Sequence, residues 1–158
     1  MVHTCLTYEL LTCSLTGVPG ASDTVAKLMR VADLARRRMT AVVDPHGLTL
    51  QQFNVLRILR GAGADGLPTL EVASRMVEQT PGITRLLDRL EAKDLIRRQR
   101  CPKDRRQHLC WITTKGSAVL HKLDAPIART HDETLKGLRA KDRAAFLRLL
   151  GAVRAAHG

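Results

Sequence analysis

One segment of the chain, residues 80–90, reads TPGITRLLDRL and contains two threonines and two arginines. Hydroxyls bind base edges or phosphates, and a guanidinium can form a bidentate hydrogen bond with a guanine edge or with a phosphate. A glycine in such a segment leaves room for a close approach. The candidates for contact with duplex DNA are Thr80, Gly82, Thr84 and Arg85. Arg89, one helical turn further on, is expected to meet the phosphate backbone.

A second basic cluster follows between Leu95 and Lys115. This stretch contains seven lysines and arginines but a single acid, Asp104, and so carries +6 of the formal net charge of +11. Its central loop holds Lys103, Arg105 and Arg106, which suit a phosphate ridge or a narrow minor groove. We therefore expect the partner to be an anionic polymer or surface, with duplex phosphates the best fit. The alternative is that Arg85 and Arg89 form a solvated face and pair locally with Asp88.

The cysteines and histidines do not match a metal or catalytic pattern. Cysteines stand at positions 5, 13, 101 and 110 without a C-x-x-C pair, which argues against a zinc ribbon or a thioredoxin-like site. The combination of His108, Cys110 and His121 with Cys101 fits no known ligand spacing. The sequence also lacks a phosphate-binding loop, a G-x-S-x-G elbow and an H-E-x-x-H pair. We expect no cofactor, no metal site and no enzymatic activity.

The composition is that of one folded domain. The 158 residues are 44% hydrophobic and 26% charged, which excludes disorder from end to end. Aromatic residues make up only 3%, too few for a surface on which single-stranded nucleic acid stacks. No run of eighteen apolar residues occurs. The first 22 residues carry one charge, Glu9, and no basic residue precedes it, so a signal peptide is disfavoured and a cytoplasmic location is expected.

Apolar residues at helical spacing predict two helices in the first half of the chain. The first covers residues 23–43, is capped by Ser22 or Asp23, and is followed by the breakers of the segment 44–47. Thr49 and Gln52 then form a capping box for a second, mostly apolar helix that we expect to be central.

The second half is predicted to hold a helix-turn-helix and a hairpin. Glycines at 61, 63 and 66 indicate a loop, and a short helix runs from Thr69 to Met76. After a three-residue turn, Thr80 caps the next helix with Pro81 at its first position. Two strand-like runs, 95–101 and 107–113, enclose the basic loop. Helices over 114–138, kinked at Pro126, and over 140–156 close the chain. The fold class is mainly α with a small β-hairpin wing (α+β), that is, a winged helix-turn-helix.

Several of these motifs resemble the MarR family of bacterial winged-helix transcription regulators. The resemblance covers about residues 23–156, and it rests on Leu48-Thr49, on residues 80–90, and above all on Asp104-Arg105-Arg106 followed by Ile112-Thr113-Thr114-Lys115-Gly116. It implies a homodimer, built by the first and last helices, that binds a palindromic operator. It further implies major-groove contacts by Thr80, Pro81, Gly82, Thr84 and Arg85, and a minor-groove contact by Arg106, which Asp104 orients.

The chain departs from the family pattern at three places. Asp94 stands where the recognition helix commonly ends in glycine, and it would have to adopt a left-handed conformation. Arg139 stands where serine or threonine often caps the last helix. The arm over residues 1–22 is not required by the family. The resulting domain prediction is an arm over 1–22, a dimerisation helix over 23–47, a DNA-binding domain over 48–113 and dimerisation helices over 114–158.

The resemblance implies a repressor that a small phenolic or aromatic acid releases from DNA. Arg36, Arg37, Arg38 and His46 either line an effector site or are merely solvated. One alternative is a redox-sensing regulator of the same fold that uses Cys5 or Cys13, although neither has a basic neighbour in sequence to lower its pKa. Two further alternatives are a non-specific architectural or RNA-binding protein and a protein-interaction module on a winged-helix scaffold.

Overall fold

A computed structural model describes residues 20–78, 82–101 and 107–157 of the chain. Six α-helices and three short strands occur within these ranges, with two single-turn 3-10 helices at Asp44–His46 and Gly63–Asp65. The helices are α1 (Ala21–Val43), α2 (Leu50–Ala62), α3 (Thr69–Ser74), α4 (Ile83–Ala92), α5 (Thr114–Thr134) and α6 (Ala140–Ala155), and the strands are β1 (Leu67–Pro68), β2 (Ile96–Arg100) and β3 (His108–Ile112). None of the described helices is long and apolar enough to cross a membrane.

The centre of the fold is α2, as its sequence predicts. Thr49 and Gln52 exchange the two hydrogen bonds of a capping box, at 3.2 and 3.1 Å, which fixes the start of the helix. The helix buries Phe53, Val55, Leu56 and Leu59 against apolar residues of α4, α5 and the strands. A bidentate pair of Arg60 and Asp124, with both N–O distances 2.8 Å, joins the end of α2 to α5 and lowers the pKa of the Asp124 carboxyl.

The three strands form an antiparallel sheet in the order β1-β3-β2. The hairpin of β2 and β3 matches the two predicted strand-like runs, and its register places Ile96 opposite Ile112 and Arg98 opposite Cys110. The strand β1, in which Leu67 pairs with Cys110, is not predicted from the sequence. Two residues are too few for a periodic pattern, so only the partner strand defines this one.

Several predicted helix ends were wrong. Gly20 is the N-cap residue of α1 instead of Ser22 or Asp23, which both lie in the first turn of the helix, and the Asp23 carboxylate pairs with Lys27 at 2.7 Å. Gly61 lies inside α2 and not in the following loop, whereas α3 ends two residues early, at Ser74. Helix α5 ends at Thr134, four residues before the predicted end, and contains Pro126 within its length.

The predicted start of α4 was also wrong, since the helix begins at Ile83. Gly82 is its N-cap residue and adopts a left-handed conformation, with φ of 87°, which interrupts a helix that was predicted to begin at Pro81. Thr80 and Pro81 themselves lie outside the described residues. The start of α6 at Ala140 is as predicted, and Arg139 precedes it without forming a side-chain cap to the backbone.

Candidate nucleic-acid interface

Helix α4 separates an apolar face from a polar one. Leu86, Leu87 and Leu90 are buried in the core. Thr84, Arg85 and Arg89 are exposed on the other side. Neither arginine forms a hydrogen bond or an ion pair with any residue that the structure describes. Their guanidiniums are therefore available to a partner.

The acid between these arginines has a different partner from the one considered in the sequence. Asp88 contacts Arg98 of β2 at 2.6 Å instead of pairing with Arg85 or Arg89. The local-pairing alternative is therefore wrong for this acid. The basic face of α4 keeps its positive charge, because the only acid within it is neutralised from the hairpin.

Arg98 is the centre of an ion cluster between α4 and the hairpin. Its Nε and Nη2 donate to Glu91 Oε2 at 2.9 and 2.5 Å, and its backbone N–H donates to Glu91 Oε1 at 3.1 Å. Hydrogen bonds to Glu91 and then Asp88 raise the pKa of Arg98 above its usual value, against the effect of burial. One of the seven basic charges of the Leu95–Lys115 stretch is thus used inside the protein, which the charge count alone could not reveal.

The end of α4 turns sharply into the hairpin through Asp94. This residue has a φ of 61°, the left-handed conformation expected where the family commonly has glycine. The N–H of Leu95 donates to the carbonyl of Leu90 at 3.0 Å, and that of Asp94 to Glu91 at 2.8 Å. These bonds satisfy carbonyls at the end of α4 and fix the direction in which β2 leaves it.

The motif Ile112-Thr113-Thr114-Lys115-Gly116 joins the hairpin to α5. Thr113 caps α5 by accepting a hydrogen bond from the Gly116 N–H at 3.0 Å, and its hydroxyl donates to the Asp94 carbonyl at 2.8 Å. A β-carbon on Gly116 would lie 2.2 Å from the carbonyl oxygen of Leu95. The glycine of this motif is therefore required by close backbone contact between α5 and the start of β2.

Trp111 anchors the base of the hairpin to the loop before β1. Its Nε1 donates to the carbonyl of Ala64 at 2.9 Å, and the Arg97 guanidinium lies 4.1 Å from the ring centroid. Gly66, with φ of 68°, lies directly against the indole. No sequence pattern predicts this contact, because the residues are more than forty positions apart.

The loop at the tip of the hairpin is not among the described residues. Lys103, Asp104, Arg105 and Arg106 all lie in the segment 102–106, so their predicted roles remain predictions. The hairpin itself extends to the flanking residues, where the Cys101 N–H donates to the Gln107 carbonyl at 2.9 Å. The ladder therefore presents both ends of this basic loop together at the far end of the hairpin.

Two of the four cysteines lie within the described residues. Cys110 is buried in the core, and desolvation raises the pKa of its thiol. Cys101 is partly buried. No group of three or more histidines, cysteines or acids suitable for a metal ion occurs in the described ranges. Cys5 and Cys13, the candidates for redox sensing, lie outside them.

A cavity of about 330 Å³ lies between α1, α2 and the segment that follows α3. Its apolar lining includes Met39, Phe53 and Met76, and Arg57 lies over the Phe53 ring at 5.8 Å. Arg36 also lines it and pairs with Glu78 at 2.9 Å. Of the four residues considered for an effector site, Arg36 is the one that lines this cavity.

Comparison with known proteins agrees with this geometry. The model of the MarR family matches residues 48–108. A MarR transcription factor from Planctomyces limnophilus is 30% identical, with a TM-score of 0.67 over 87% of this chain and 99% of that one. A mutant MarR from E. coli, complexed with operator DNA, is 27% identical, with a TM-score of 0.72 over 85% of this chain and 99% of that one. AbsC, a MarR family transcriptional regulator from Streptomyces coelicolor, has the same fold, with 19% identity and a TM-score of 0.78 over 89% of this chain and 97% of that one.

Proposed function

Since this chain belongs to the MarR family of transcription regulators, we propose that it binds a two-fold symmetric operator as a homodimer and represses transcription until a small effector binds. The observation that carries the proposal is the exposed face of α4, where Arg85 and Arg89 have no partner among the described residues and lie beside a basic hairpin. An α-helix fits the major groove, and only that groove distinguishes all four base pairs. The operator complex of the E. coli relative supports duplex DNA as the partner.

In this proposal the helix and the hairpin have separate roles. Gly82, Thr84 and Arg85, with Thr80 and Pro81 before them, read bases in the major groove, while Arg89 and Lys103 contact phosphates. Arg105 and Arg106 of the hairpin tip reach the phosphate ridge or the minor groove, and Asp104 orients Arg106. Residues 48–113 serve as the DNA-binding domain, and residues 23–47 and 114–158 form the dimer.

The proposed effector is a small aromatic acid held in the cavity between α1 and α2. The volume is at the lower end of the range for ligand pockets. Methionine and phenylalanine side chains would contact a ring, while Arg36 and Arg57 supply positive charge for a carboxylate or phenolate. The cavity lies between the proposed dimerisation helix α1 and the segment leading into α4, so an occupant would contact both.

A footprint on the DNA upstream of the protein's own gene tests the proposal. We expect protection of two half-sites about one helical turn apart, because a two-fold dimer presents two copies of α4 at that spacing. Phenolic acids should remove the protection. Loss with peroxide instead would favour redox sensing through Cys5 or Cys13. If random duplex competes as well as the upstream DNA, the protein is a non-specific architectural protein. If the protein does not shift DNA at all, it is a protein-interaction module.

Arg85→Ala is expected to cost about 1–3 kcal/mol of binding free energy on the operator and to relax the preference at one base position. The side chain projects from the exposed face of α4, so its removal should leave the core unchanged. Affinity measured on operators with single base changes checks this. A uniform loss on every sequence would show that Arg85 contacts a phosphate instead.

Arg106→Ala is expected to lower affinity and to reduce the slope of log affinity against log salt by about 0.9 for each phosphate that the protein no longer neutralises. Binding is measured by fluorescence anisotropy with a labelled operator at several salt concentrations. Arg37→Ala is the matched control, because Arg37 pairs with Asp33 on α1. An unchanged slope for Arg106→Ala would exclude the hairpin tip from the interface.

A further inference from the structure

The side of α4 that faces the hairpin carries two acids. Asp88 is half exposed on the same helix as Arg85 and Arg89, and Glu91 lies one turn later. Carboxylates on a helix that approaches DNA repel its phosphates and lower affinity. Pairing with a cation of the protein reduces this repulsion.

Arg98 neutralises both acids from the neighbouring strand. Its side chain is 20% exposed, and it contacts Asp88 at 2.6 Å and Glu91 at 2.5 Å. The backbone of Arg98 is fixed as well, since it pairs with Cys110 in the middle of the β2–β3 ladder and its N–H donates to Glu91. Such forked, partly buried contacts hold geometry far better than exposed ion pairs do.

We propose that Arg98 is a positioning residue for DNA binding: it fixes α4 and the β2–β3 hairpin at one angle, so that helix and hairpin reach the duplex together, without itself contacting DNA. The inference rests on the proposed function, in which α4 and the hairpin bind the same duplex. The inference goes further than that function because it gives Arg98 a role within the protein. From the positive charge of the hairpin alone, Arg98 would be interpreted as a phosphate contact.

Two variants with opposite changes of charge separate positioning from electrostatics. Arg98→Gln removes one positive charge, whereas the double variant Asp88→Asn with Glu91→Gln removes two negative ones and is nearly isosteric. If Arg98 acted only through charge, the first variant would bind DNA more weakly and the second more tightly. If it acts by positioning, both variants lose the fixed angle, and both should discriminate less well between operator and random duplex.

The measurement is the ratio of affinities for the upstream duplex and for a random duplex of equal length, by anisotropy, with folding checked by circular dichroism. We expect both variants to lower this ratio about tenfold, which is within the range of couplings between contacting residues. The salt slope for Arg98→Gln should stay within half a unit of wild type. Arg97→Gln is the matched control, because it makes the same charge change on the adjacent residue, which lies over Trp111; its ratio should change less than about twofold.

Three outcomes would overturn the inference. An unchanged ratio in folded Arg98→Gln shows a purely structural role, and a slope lowered by about one unit shows a direct phosphate contact. An unchanged or higher ratio in the double variant shows that Arg98 acts through charge alone. The double variant distinguishes positioning from charge even if Arg98→Gln fails to fold. A wild-type protein that does not prefer its upstream duplex would instead refute the proposed function.

Discussion

Leu149→Asp is expected to convert the proposed homodimer to monomers and to abolish tight operator binding. The reason lies in α6, where none of the residues is buried within the described structure. Leu147, Leu149 and Val153 are 73%, 55% and 57% exposed. Most of the stability of a helix in a protein comes from packing of its apolar face, so the sixteen-residue α6 requires a surface against which to pack.

We propose that this surface is the same face of a second copy. Helix α1 also exposes apolar side chains, among them Val25, Leu28, Met29, Val31 and Leu34. Apolar patches of this kind mark protein interfaces. In a two-fold interface each substitution occurs twice, so an unpaired aspartate costs about 3–5 kcal/mol per copy. A loss of this size in the free energy of association is enough to convert an ordinary dimer to monomers.

Light scattering after gel filtration measures the mass of Leu149→Asp directly. Leu70→Asp is the matched control, because Leu70 is an equally large and more exposed leucine on α3, a helix that packs on α2, α4 and the sheet. The control should keep the mass of two chains. If Leu149→Asp also keeps that mass, α6 is not in the dimer interface, and another partner must cover it.

Gly116→Ala is expected to destabilise the protein by about 3 kcal/mol or more, at the upper end of the costs of overpacking. The added methyl group would lie 2.2 Å from the Leu95 carbonyl oxygen and 2.9 Å from Ile112 Cγ1. The first of these is a backbone atom, which cannot rotate away as a side chain can. Relief would require α5 to move from the hairpin, which would break the hydrogen bonds that Thr113 donates to the carbonyls of Asp94 and Leu95.

Urea unfolding followed by circular dichroism gives the free energy of unfolding for this comparison. Gly61→Ala is the matched control, since Gly61 lies in α2 with no atom within 4 Å of the added carbon. Alanine there should stabilise the helix by up to about 1 kcal/mol. Equal stabilities for the two variants would show that α5 and β2 pack more loosely than these distances indicate.

The features predicted correctly from sequence are those with a local cause. The capping box of Thr49 and Gln52 involves residues three apart, and the buried stripe of α4 repeats within one helix. In each case the residues that determine the structure are neighbours in the chain, so their pattern can be read directly.

The features missed from sequence depend on contacts between distant residues. The strand β1 exists because Leu67 pairs with Cys110, and the cavity forms only where α1, α2 and the segment after α3 meet. In the sequence Arg98 is one basic charge among seven, since no local pattern pairs it with Glu91. The boundary at Ile83 was missed because Gly82 adopts a conformation that the preceding Pro81 does not predict.

The packing of Trp111 also gives the protein an intrinsic spectroscopic probe. The chain contains one tryptophan, so its tryptophan emission originates at a single place, the base of the hairpin. The guanidinium of Arg97 over the ring and the hydrogen bond to Ala64 set the environment of that emission. A shift in its wavelength or intensity on adding duplex DNA would therefore report movement of the hairpin itself, with no label introduced.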